Sequence, residues 1–172
     1  MGAKANGFTL VELLITLIIA ALVLGFATPS FLDLIEKNRV RSTSQQLVEL
    51  LRLSRVTAVE HRNRVTVCGS SDSANCDNDW GSSIISVKRG EDGADDEIMA
   101  SMSISEKIAI SKTNNNDKNP NIDFRVSGWI PWDQTTFTIC PVEGKQGNAY
   151  QITVSGSGKV KVKPNKDDES WC

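Results

Sequence analysis

From Phe8 to Ala27 the chain runs for twenty residues with one charged side chain, Glu12. A stretch of that length and polarity can cross the hydrocarbon of a bilayer as a helix. A helix buried in a soluble domain would be expected to show polar residues on one face, whereas only Thr9, Glu12 and Thr16 interrupt this run. Glu12 is the sharper constraint, because a carboxylate in hydrocarbon costs on the order of a few kcal/mol and normally needs a partner. One lies four residues upstream. Cleavage between Gly7 and Phe8 would give Phe8 a free α-amine, able to neutralise Glu12 in the same chain or in a neighbouring one.

Two other readings of the segment compete. A plain single-span anchor needs neither Glu12 near its end nor the Gly7-Phe8 junction. A secretory signal is the stronger rival, since Gly25-Phe26-Ala27 is a small-x-small cleavage site after an apolar core. Against it stand a thin basic region, with Lys4 alone before the run, and Pro29, two residues after that cut. A short leader ending in Gly7, followed by Phe8-Thr9-Leu10-Val11-Glu12 and an apolar run, resembles the processing site of type IV prepilins and type II secretion pseudopilins. The resemblance implies cleavage after Gly7 and methylation of the Phe8 amine by a prepilin peptidase, a role for Glu12 in filament assembly, and a helix kink at Pro29.

Beyond Pro29 the pattern becomes amphipathic. Phe31, Leu34, Ile35, Leu47, Leu50, Leu51, Ser54 and Ala58 recur at three- and four-residue spacing, which predicts one continuous helix from Thr9 to Arg62, roughly 80 Å long. Pro29 removes one backbone hydrogen bond from it. Arg39, Arg41, Arg52, Arg55, Arg62 and Arg64 read as a solvated face, diluted by Glu49 and Glu60, rather than as a nucleic-acid surface. From Arg64 the period shortens to two. Strands are predicted at 64–68, 83–87, 98–104, 108–112, 122–126, 135–140, 150–155 and 159–163, separated by turns such as Gly90 to Asp96, Asn114 to Pro120 and Gly144 to Asn148. The fold class is therefore α+β: a long N-terminal helix, transmembrane in its first half, packed on a C-terminal antiparallel β-sheet domain. The divisions are a leader at 1–7, a transmembrane and filament-core helix at 8–29, an amphipathic half at 30–62 and a β-rich head at 63–172. The 172 residues leave no room for a second large domain.

The four cysteines all follow the membrane segment, as disulfides outside the cytoplasm would. Three pairings are open. The spacing favours Cys68 with Cys76, closing a loop of Ser, Asp and Asn, and Cys140 with Cys172, pinning the last residue. Zinc spacing is absent, and the one histidine, His61, falls in the helix, so neither a metal nor a catalytic triad is expected. The run Glu91 to Glu97 lacks EF-hand spacing, and Gly144 to Gly147 lacks that of a phosphate loop. No cofactor and no enzymatic activity are expected. Trp129 and Trp132 flank Pro131 and suit either an exposed partner patch or buried strand-end packing.

One segment invites a second function. In Gly158-Lys159-Val160-Lys161-Val162-Lys163, strand alternation puts three lysines on one face at about 6.8 Å spacing, a geometry that can track phosphates. The commoner meaning is an edge strand guarded by lysines, and Asp167, Asp168 and Glu169 weaken the local field. The segment resembles, with Lys in place of Arg, the Gly-Arg-x-Arg motif of FimT-type minor pilins. Over the whole chain the resemblance is to minor pilins of the FimU/FimT group, which share a GspH-like pseudopilin domain. Cys68-Gly69-Ser70 through Trp80-Gly81 carry it in the middle of the chain, and Cys140 with Cys172 brings it nearer FimU. It implies a subunit held in the bacterial inner membrane with its head in the periplasm, then drawn by an assembly platform into an extracellular pilus. It further implies major and minor pilins as neighbours, a place near the tip, and a part in twitching motility. DNA uptake through Lys159, Lys161 and Lys163 is the alternative, as is a pseudopilin of a type II secretion system.

Overall fold

A computed structural model describes residues 7–90, 95–114, 121–131, 134–143, 146–165 and 171–172, without the side chains of 25–30, 114 and 146. Lys4, Glu91 to Ala94, Asn115 to Pro120, Trp132, Gly144-Lys145 and Asp167 to Glu169 lie outside the described residues. The chain divides into two compact units, Met1–Ile35 and Glu36–Cys172.

Helix α1 runs over Leu10–Glu60. Thr9 caps its start: the hydroxyl oxygen accepts the Glu12 N–H at 3.2 Å, satisfying one of the four donors that a helix leaves unpaired at its first turn. Its end falls within two residues of the expected boundary near Arg62. Arg62 adopts φ +49°, a left-handed conformation that stops the helix.

In the first unit every large apolar side chain from Phe8 to Leu24 is more than half exposed. Among the described residues no helix is long and apolar enough to cross a membrane. The span expected at 8–29 extends into residues 25–30, whose side chains are outside the description.

In the second unit, α1 is followed by eight strands, β1 (Val65–Ser70), β2 (Ser83–Lys88), β3 (Glu97–Ser103), β4 (Ile108–Asn114), β5 (Ile122–Phe124), β6 (Thr135–Pro141), β7 (Tyr150–Val154) and β8 (Val160–Pro164). They form two antiparallel sheets rather than one, with orders β3-β2-β1-β5 and β4-β6-β7-β8. The exchange of β4 and β5 between sheets depends on the non-local pairing of Val67 with Ile122, which alternation along a single strand does not encode. β5 stops at Phe124 because the next residues turn, the Arg125 N–H donating to the Trp129 carbonyl.

The core lies where α1 meets the inner faces of both sheets. Val40, Leu47, Leu51 and Ala58 are fully buried, and Ser44 and Ser54 fill the same stripe. They meet Val65, Val67, Ile84, Ile122 and Phe124 of the first sheet, and Phe137, Ile139, Ile152 and Val154 of the second. Each such aliphatic or aromatic side chain contributes about 1.5–3 kcal/mol of hydrophobic stabilisation. The Ser54 hydroxyl donates to the Leu50 carbonyl and meets the Ser86 hydroxyl, each at 2.7 Å, so the close approach of helix and sheet leaves no stranded donor.

Candidate functional site

The N-terminal end of α1 brings together Gly7, Phe8 and Glu12. A Cβ on Gly7 would meet no atom within 4 Å, so packing does not require glycine there. Phe8 is 76% exposed and begins an apolar surface that continues to Leu24. Glu12 sits in the first turn of the helix, where the partial positive charge of the helix N-terminus favours a carboxylate. The spacing Thr9-x-x-Glu12 is that of a capping box, a local reason for an acid at this position that the membrane argument passes over. Among the described residues the Glu12 carboxylate has no ion-pair partner. Pro29 lies inside α1, whose helical backbone continues past it to Glu60.

The four cysteines are joined as Cys68 with Cys76 and Cys140 with Cys172. The first bond ties the middle of the Ser71 to Trp80 loop, at Cys76, to the outer face of the β3-β2-β1-β5 sheet, where Cys68, Ile85 and Val87 form a second small buried cluster with it. Three carboxylates organise this loop. Asp72 accepts from the Asn75 side chain and the N–H groups of Ala74 and Asn75, Asp77 from the Ser71 hydroxyl, and Asp79 from the Ser82 hydroxyl and the Gly81 N–H. These donors hold all three carboxyls below the usual aspartate range. Gly69 is required beneath the loop, since a Cβ there would lie 2.6 Å from the Asp79 carbonyl carbon. The acids are thus consumed in building a turn. Among the described residues no group of His, Cys, Asp or Glu is placed to hold a metal.

Trp80, at the end of the same loop, reaches the other sheet. Its ring lies 5.2 Å from that of Phe137, and the Lys112 ammonium stands 4.9 Å from its centroid. Lys112 pairs across the strands with Phe137, so it points inward from an edge strand, a device that discourages edge-to-edge pairing. Burial pushes its pKa down to about 8.

Of the candidate phosphate contacts, Lys161 and Lys163 oppose Thr153 and Gln151 of β7, on the outer face of the β4-β6-β7-β8 sheet. Lys159 is exposed just before the strand. The Lys163 ammonium lies 5.0 Å from the centroid of the Trp171 ring, beside the Cys140–Cys172 bond. Val160 and Val162 are on the inner face, as alternation predicts. Of the tryptophan patch, Trp129 is 49% exposed.

Sequence reasoning missed Arg55, which it left on the solvated face of the helix. Arg55 donates from Nε to the Gly128 carbonyl at 2.9 Å and from Nη2 to the Ser157 carbonyl at 3.3 Å. Gly128 and Gly158 both have positive φ, and a Cβ on Gly158 would stand 2.1 Å from the Gly128 oxygen. One helix side chain thus ties together two turns that only glycine permits to approach so closely. The sequence offers no signal for it, because Arg55 is one of several arginines at similar spacing.

Two family models match the chain. The model described as type II transport protein GspH matches residues 43–158, and the prokaryotic N-terminal methylation motif matches residues 2–28. The chain belongs to the GspH family. It is a pilin- or pseudopilin-type protein of a structural, non-enzymatic family, and its N-terminus carries the prepilin-type methylation motif. The crystal structure of type IV minor pilin FimU from Pseudomonas aeruginosa matches with a TM-score of 0.57 and 19% identity, over 76% of this chain and 92% of that one. The minor pseudopilin EpsH from the type II secretion system of Vibrio cholerae matches with a TM-score of 0.56 and 12% identity, over 77% of this chain and 99% of that one. At these identities the two structures speak for the α+β pilin fold. A comparison with curated proteins gives no match.

Proposed function

We propose that this GspH-family subunit is a minor pilin of a type IV pilus, cut by a prepilin peptidase between Gly7 and Phe8 and methylated on the new amine. Residues 1–7 are the leader. Residues 8–29 hold the uncut and newly cut chain in the inner membrane with the head, 63–172, in the periplasm, and 30–62 join the two. The assembly platform then draws the chain into the filament, where the apolar helix exchanges lipid contacts for contacts with neighbouring helices. Pro29, with no N–H for the carbonyl of Gly25, is the point at which the helix yields. The subunit takes a place near the tip, linking initiating subunits to the bulk pilin and supporting twitching motility.

The observation that carries this reading is Glu12, an acid without an ion-pair partner among the described residues, four positions from Phe8 in the largely apolar and exposed segment from Phe8 to Leu24. A neighbour's Phe8 amine supplies the missing cation, so that Glu12 selects the register of docking as well as neutralising its own charge. Mass spectrometry of the mature polypeptide tests it. The expected product begins at a methylated Phe8, and a start at Thr28 or an intact Met1 would sink the proposal. Genes for pilus assembly beside this one, rather than for secretion, are the expected mark of a pilus subunit over a secretion pseudopilin.

A second reading has its own observation: Lys161 and Lys163 share one outer face, with Lys159 at its edge. That row suits a salt-sensitive contact with DNA phosphates, and the same lysines suit protection of edge strand β8. A gel shift with the Glu36–Cys172 unit, weakening as salt rises, is the result a DNA receptor requires.

A further inference from the structure

Each sheet of the head ends in two edge strands, and three of the four edges are guarded. β5 is three residues long, β4 turns Lys112 inward, and β8 carries Lys161, Lys163 and Pro164, all features that discourage a further strand from pairing. β3 has neither lysine nor proline, and its one charge, Glu97, is paired with Lys88 of β2 at 2.6 Å. Its pairing with β2 is irregular at Met99, where Ser86 opposes Ala100 and Val87 opposes Ile98. That bulge ends the straight edge and leaves Ala100 to Ser103 in unbroken register with β2.

Hydrogen-bond parity fixes which groups this run presents. The Ile104 N–H donates to the Ser82 carbonyl at 2.9 Å, so in the antiparallel register the residues that bond to β2 are Ile104, Met102 and Ala100. The N–H and C=O groups of Ser101 and Ser103 therefore point away from β2, along the open edge, and both residues are exposed. Among the described residues no hydrogen bond reaches these groups. Beside the edge lies an open groove of about 520 Å³, with Ala100 and Met102 on the strand side and Gln46, Glu49, Leu50 and Leu53 on the helix side. Leu53 is 45% exposed there.

We infer that the edge of β3 receives an extended segment of a neighbouring pilin subunit, which joins the β3-β2-β1-β5 sheet as a further strand. Its backbone pairs with Ser101 and Ser103 at about 4.8 Å from β3, and its residues opposite Ala100 and Met102 share their face of the sheet. Those positions take aliphatic side chains, since they meet Leu53 in the groove. Main-chain bonds hold such a strand, and the pocket for its alternate side chains selects it. A helix is a poorer fit, because its backbone groups are already paired internally and offer nothing to Ser101 and Ser103. A second copy of β3 is poorer too. Antiparallel self-pairing with both α1 helices on one face turns those helices in opposite directions, whereas subunits of one filament share a direction. The inference rests on the filament-subunit reading and adds to it the surface through which the head is joined.

The test uses the full-length chain in its native cell, with Gln46 replaced by the photoreactive residue p-benzoylphenylalanine. Irradiation of assembled filaments is expected to give an adduct whose cross-linked peptide, sequenced by mass spectrometry, is a pilin segment with aliphatic residues at alternate positions. Ser101→Pro removes an N–H that β2 does not use, and it is expected to lower the adduct yield roughly tenfold. Ser101→Ala keeps that N–H and is expected to lower the yield by less than about twofold. Leu53→Asp, on the exposed flank of α1, sets a charge against the incoming aliphatic side chain and is expected to lower the yield roughly fivefold; it decides the matter if Ser101→Pro unfolds the head. An adduct with a helix or a lipid overturns the inference, as does a yield that neither Ser101→Pro nor Leu53→Asp lowers, or one that Ser101→Ala lowers as far as Ser101→Pro. Filaments that contain the Gln46 variant but show no adduct also overturn it, while leaving the subunit reading intact. Absence of the unsubstituted chain from filaments would instead count against the function proposed above.

Discussion

The two halves of α1 share a backbone and differ in what their side chains meet. Between Phe8 and Leu24 the large apolar residues are all more than half exposed, on every side of the helix. Between Val40 and Ala58 the apolar residues with no exposure form one stripe, at the spacing 40, 47, 51 and 58. The contrast teaches that burial within the chain is not what keeps the first half apolar. The second half folds the head, and under the function proposed above the first half meets lipid and then neighbouring subunits.

Separating the two roles by mutation is the direct way to break that comparison. Glu12→Ala is expected to have the largest effect, lowering incorporation into sheared filaments by at least roughly tenfold for want of the neutralising pair, with the urea midpoint of the head unchanged. Immunoblots of the filament fraction measure the first and denaturation measures the second. Unchanged incorporation would remove Glu12 from the assembly mechanism and leave it only its place in the helix cap. Leu51→Ala is the converse. Its side chain is fully buried, and its loss is expected to destabilise the head by about 2–5 kcal/mol in urea titrations, with cleavage after Gly7 proceeding as before.

Smaller effects sharpen the account of how the head is held. Gly158→Ala is expected to cost about 2 kcal/mol or more, because φ is +74° and the added Cβ meets a carbonyl oxygen. Arg55→Ala is expected to cost about 1–2 kcal/mol through two lost hydrogen bonds from a partly solvated cation, with Arg55→Lys restoring little because an ammonium lacks the planar fork. The least effect is a pH dependence. Asp72, Asp77 and Asp79 titrate below the ordinary aspartate value in the folded loop, so their contribution is present above about pH 4 and fades as pH falls through the depressed range. Amide exchange in the Ser71 to Trp80 loop should accelerate on acidification from pH 5 to pH 2, ahead of exchange in β1.

Much of the architecture is legible in the chain itself. The observed strands begin and end within about two residues of the predicted segments, since side chains along a strand point alternately to its two faces. What escapes is which strand neighbours which. Val67 finds Ile122 across more than fifty intervening residues, and the division into two sheets follows from such pairings rather than from any local pattern. Of the candidate sites, the N-terminal motif is readable because its chemistry is contiguous. Arg55 is not, because its meaning depends on two glycine turns far along the chain being folded against it. The row of lysines falls between: alternation predicts their shared face, while the ring of Trp171 beneath Lys163 emerges only once Cys172 is bonded to Cys140.

Trp80 links parts of the head that otherwise belong to different layers. It leaves a loop anchored on one sheet, stacks near Phe137 of the other and lies under the ammonium of Lys112. Its emission is therefore a natural optical gauge of the spacing between layers. Replacing the other three tryptophans with phenylalanine would leave a single fluorophore that reports, without any attached dye, when the two sheets part.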